Sequence, residues 1–116
     1  MNLSDEAKKI YELNFSIVKP IATMLFITHG TGLATLFATD AVKYKEALFW
    51  FGVGFMALPS LLLISYLYFI KMLHTKNRTK FITLHKRSQY ILISSLVSSV
   101  IVVIIAMNKA FLVLKM

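Results

Sequence analysis

His29 is the single ionisable side chain deep inside the first uncharged apolar stretch of this chain, residues 21–39. A charged or chargeable group at such a position faces a bundle interior or a cavity, because exposing it to lipid is costly. Imidazole offers three chemistries there. A neutral ring can hydrogen-bond a hydroxyl on another helix, a pore-facing ring can gain charge near neutral pH, and a ring nitrogen can ligate haem or a metal. The third needs further ligands, and His74 and His85 lie in a separate basic segment that does not readily reach His29.

Around His29 runs a stripe of small, weakly polar residues. At 100° per residue, Thr28, Gly32, Thr35 and Thr39 fall within about 60° of one another, with Thr31 at the margin. Phe26, Leu33 and Phe37 occupy the opposite, bulky face. Small residues let helix backbones approach, and threonine hydroxyls bond to the carbonyl four residues back or across helices, so the stripe reads as a packing surface. It also reads as one wall of a narrow hydroxyl-lined path through an oligomer. Gly52, Gly54, Ala57 and Ser60, and the serines at 94, 95, 98 and 99, repeat the small-residue theme in two later stretches.

The second chemistry is cationic. Lys71, Lys76, Arg78, Lys80, Lys86 and Arg87 fall within residues 71–89, which contain no acid. Beside apolar spans, the nearest anions are lipid headgroups, and such a segment also suits an acidic cytosolic partner. Nucleic acid is not the expected partner, although the formal net charge is +8.

Other chemistries lack their residues. With no cysteine, disulfides, thiolate metal sites and thiol catalysis are excluded. No carboxylate is embedded in an apolar stretch, no Ser/His/Asp set lies at one depth, and no glycine-rich phosphate loop or metal-ligand spacing occurs. The expectation is a protein that is not an enzyme and holds no cofactor or metal.

The elements that must position these residues follow from hydropathy. The chain has 116 residues, of which 58% are hydrophobic, and a mean hydropathy of +0.72, well above that of a water-soluble domain. Three stretches, 21–39, 47–70 and 90–108, are each long enough to cross hydrocarbon as a helix, which takes roughly 20 residues. Isolated strands would leave their backbone unpaired in lipid. The expected fold class is therefore all-α, an integral membrane protein with three transmembrane helices in a single domain.

Residues 1–19 read as a short amphipathic helix at the cytoplasmic interface, with Ser4 as N-cap, Asp5 and Glu6 in the first turn, and Lys19-Pro20 as its boundary. Residues 40–46 read as a tight turn, Pro59 as a kink in the second span, and 71–89 as a basic cytoplasmic loop. The third span is expected to admit continuation towards the C-terminus. The cations place 71–89 and the N-terminus inside. The localisation implied is multi-pass, in a bacterial inner membrane.

The stretch Leu25-Phe-Ile-Thr-His29-Gly30-Thr31-Gly32-Leu-Ala34-Thr-Leu-Phe37 resembles the first span of a group of small bacterial membrane proteins with an Asn-Gly-Gly-Ala-like run of small residues. The likeness extends as a pattern over residues 20–110, through Phe51-Gly52-Val-Gly54 and Tyr66 and Tyr68. Here His29 stands for the asparagine, and Thr31 and Gly32 for the Gly-Ala pair. Some members are similar to membrane effectors of bacterial antiphage systems, which permeabilise or depolarise the inner membrane. The expected function is thus a small oligomeric inner-membrane protein that forms a pore or perturbs membrane integrity under a cytosolic regulatory partner. The alternatives are a non-catalytic anchor or assembly subunit of a larger membrane complex, a holin-like lysis protein, or an anchor that binds haem or quinone through His29.

Overall fold

The computed structural model describes residues 2–115 and consists of three antiparallel α-helices, α1 (Leu3–Asp40), α2 (Lys45–His74) and α3 (Arg78–Leu114). All three are long and apolar enough to cross a membrane. They form a rod of 60 × 20 × 16 Å. Its long axis is about twice the ~30 Å of a hydrocarbon core, so the helices extend well past any bilayer that they cross. α2 and α3 pack along their length as a hairpin, while α1 lies chiefly on α2.

Within the described residues, the segment up to Lys19 does not form a separate short helix. α1 runs unbroken through Lys19 and Pro20 for 38 residues. Proline removes one backbone donor, a loss that transmembrane helices tolerate when packing holds both flanks. Here the N-terminal flank is held by α2: the rings of Tyr11 and Phe69 stack at 4.4 Å, and Ala7, Met72 and Phe81 form a buried cluster joining all three helices. The cap is Asn2 rather than Ser4, its side chain accepting from the Asp5 amide at 2.8 Å. Asp5 and Glu6 do occupy the first turn.

The basic segment is likewise mostly helix rather than loop. α2 continues to His74, α3 starts at Arg78, and only Thr75, Lys76 and Asn77 lie between them. Residues 71–89 contain neither glycine nor proline, so nothing in the backbone stops the flanking helices. Asn77 then caps α3 by accepting from the amides of Thr79 and Lys80 at 2.9 and 3.3 Å. At the far end Ala41 to Tyr44 form the other turn, where the Asp40 carboxylate accepts from the Lys43 amide at 3.0 Å. α2 carries Pro59 without a break, and α3 extends through Lys109.

Candidate functional site

α1 delivers His29 into the middle of the bundle, where it is 0% exposed. Its Nε2 lies 2.9 Å from Ser99 Oγ on α3. Across from it on α2 is Gly54, where a Cβ would overlap the imidazole ring. Glycine is therefore the one residue that leaves room for this histidine. The exchange is reciprocal: Phe51, one turn earlier on α2, fills the space beside Gly32 on α1, where a Cβ would sit 2.7 Å from two ring carbons. Each helix supplies a glycine for the other's ring. Phe51 also meets His29 edge-on, with ring centroids 6.1 Å apart at 76°.

Nδ1 of His29 is buried without a partner. A buried N–H left unpaired is rarer and more costly than an unpaired acceptor, which favours the tautomer whose Nε2–H donates to Ser99 Oγ. With Nε2 engaged and the ring enclosed, no face of His29 is open to a haem or to a pore between copies. Among the described residues no group of three or more His, Cys, Asp or Glu side chains converges on a metal position.

A second polar contact ties the hairpin. Ser65 Oγ donates to the Ser88 carbonyl at 3.1 Å, Ser88 Oγ reaches the Ser65 carbonyl at 3.2 Å, and the two hydroxyl oxygens are 3.0 Å apart. Ser88, Ser95 and Ser99 are the buried serines of α3. Their spacing of seven and four residues puts them on one helical face, whereas Ser98 is exposed.

The stripe on α1 is divided by this arrangement. Gly32 turns inward to Phe51, but Thr28, Thr31, Thr35 and Thr39 are exposed. Two of the hydroxyls are satisfied on their own helix, Thr28 Oγ1 donating to the Met24 carbonyl at 2.7 Å and Thr39 Oγ1 to the Thr35 carbonyl at 2.8 Å. The cations Lys71, Lys76, Arg78, Lys80, Lys86 and Arg87 are all exposed at one end of the rod. Arg78 pairs with Glu6 of α1 and lies over the Phe81 ring at 5.9 Å, and Lys71 lies over Tyr68 at 5.5 Å. A single other described ion pair, Lys109 with Glu46 at 3.6 Å, lies at the opposite end.

Sequence reasoning grouped His29 with the threonines and missed Ser99, Gly54 and Phe51 as its neighbours. The i, i+4 pair Ser95 and Ser99 was the available signal for a polar inward face. No family model, curated protein or solved structure matches this chain.

Proposed function

We propose that this chain is a non-catalytic subunit of an oligomeric membrane protein that opens a path for ions, or otherwise breaches the barrier, in a bacterial inner membrane. The observation that carries the reading is the division of α1: its histidine and Gly32 serve the interior of one copy, while four threonines at helical spacing remain on the outside. Several such faces brought together give a narrow hydroxyl-lined wall without fixed charge. The basic end faces the cytoplasm, where its six exposed cations meet anionic headgroups and receive the controlling partner. The resemblance of the first span to small bacterial membrane proteins supports a role as a membrane effector of antiphage defence.

Expression should depolarise cells, read with a potential-sensitive dye. Leucine at Thr28 or Thr35 should change conductance more than alanine at Phe37. An unchanged membrane potential at normal levels of folded protein overturns the proposal.

One observation favours a second reading, a non-conducting anchor or assembly subunit. Because Thr28 and Thr39 satisfy their hydroxyls on their own helix, the stripe can face lipid or another protein without conducting. Particle size separates the two. A pore former gives a defined homo-oligomer in mild detergent, whereas an isolated assembly subunit is polydisperse.

A further inference from the structure

Between the N-terminal half of α1 and the α2–α3 hairpin lies a half-open crevice of about 490 Å³. That volume lies in the range of small-molecule sites, roughly 300 to 1,000 Å³. No acidic residue lines it. Its lining is graded along the rod. Towards the middle of the bundle the walls are Ala22, Pro59, Leu62 and Leu92 with Thr23; towards the basic end Asn14, Lys19, His85 and Gln89 stand among Ile10, Phe69 and Met72. Lys19 lies ten residues before His29, or about 15 Å along a helix, which is half the ~30 Å thickness of a hydrocarbon core. The polar end of the crevice therefore falls at headgroup depth when His29 sits near the bilayer centre.

One side chain marks that end as a seat for an anion. The Lys19 ammonium lies 5.3 Å from the centroid of the Phe15 ring, one turn closer to the basic end, so the side chain reaches from the apolar wall towards the interface as snorkelling lysines do. His85 borders the same part of the crevice, its Nδ1 enclosed and so out of reach of an occupant. The two serines in the crevice, Ser65 and Ser88, are committed to each other. An apolar slot beside a single cation, free of acids and with that cation at headgroup depth, matches an acyl chain carrying a phosphodiester.

We propose that this crevice binds one anionic glycerophospholipid, its phosphate at Lys19 and an acyl chain along Ala22, Pro59, Leu62 and Leu92. The inference rests on the chain spanning a bilayer and not on its conducting ions, since the crevice lies apart from the threonine stripe.

The test uses the full chain in phosphatidylcholine nanodiscs doped with either photoactivatable phosphatidylglycerol or photoactivatable phosphatidylcholine, followed by mapping of labelled peptides. Phosphatidylglycerol should label residues 10–23 and 85–92 about five-fold more than phosphatidylcholine does, the ratio expected from one lysine near an anionic headgroup. Lys19→Gln should reduce that preference. Lys9→Gln, an exposed cation on α1 outside the crevice, should leave it unchanged, and Lys19→Arg should retain it. Leu62→Trp, which fills the apolar end, should lower labelling by both lipids at unchanged helix content. Equal labelling by the two headgroups overturns the proposal. A loss with Lys9→Gln as large as with Lys19→Gln also overturns it, because diffuse attraction to the basic end then explains the preference. Either result leaves the depolarisation assay untouched.

Discussion

At the scale of single residues, the pairing of His29 with Gly54 is the contact most sensitive to a single atom. Gly54→Ala places a methyl group within the volume of the imidazole, and overpacking of this kind costs about 1 to 3 kcal/mol. His29→Ala empties that volume, so the double variant should be less destabilised than the sum of the two single changes. Unfolding midpoints of the three variants in one detergent check the coupling, and additive effects would contradict the contact. His29→Ala alone leaves Ser99 free to bond its own helix. Loss of the buried ring also leaves a cavity, so His29→Ala is itself destabilising. Little of this was legible in the sequence. A helical wheel gives angles within one helix, and Ser99 is 70 residues away. Which edge of the stripe turns inward depends on Phe51 of α2, which fills the space beside Gly32.

Elements were legible in type and less so at their ends. Three helices follow from three long apolar stretches, because backbone polar groups in lipid have few other ways to be satisfied. The boundaries at residues 19–20 and 71–89 were read from proline and from charge. Neither ends a helix here: packing on α2 carries α1 through Pro20, and charge is compatible with exposed helical surface. Where α3 does begin, a side chain marks it. Asn77→Ala removes the acceptor for two amides and should cost about 1 kcal/mol, read as faster hydrogen exchange at residues 79–81 with exchange in the middle of α3 unchanged. Slow exchange throughout 79–81 in the variant would show that packing of Phe81, rather than the cap, fixes this end.

Across the whole molecule, the basic end is a helical stub in which all three helices of the rod meet, not a tether. Two contacts hold it, and their weights differ. The Arg78–Glu6 pair is exposed, with side-chain accessibilities of 61% and 33%. Glu6→Gln should therefore change stability by less than about 1 kcal/mol, with most of even that removed by salt. Phe81, 4% exposed within the Ala7 and Met72 cluster, should cost about 3 to 5 kcal/mol on replacement by alanine. Exchange at residues 3–10 should rise in Phe81→Ala and stay low in Glu6→Gln. The sequence announced the charges, which are conspicuous, and concealed the cluster, whose three members lie in three different helices.

The two buried polar contacts stand at different heights along the rod, Ser65 with Ser88 nearer the basic end and His29 with Ser99 nearer the middle. Together they act like the pins of a lock. The first fixes how α2 and α3 are threaded past one another, and the second fixes α1 against the pair. A slide of either helix by one residue shifts every contact by about 1.5 Å along the axis and turns it by about 100°, which breaks a hydrogen bond and drives a ring into Cα of the facing glycine. Displacement by sliding is thereby discontinuous, whereas a small tilt of α1 pivoting at His29 strains neither pin. Of the two rigid displacements of α1, a tilt about His29 is the one that both contacts tolerate.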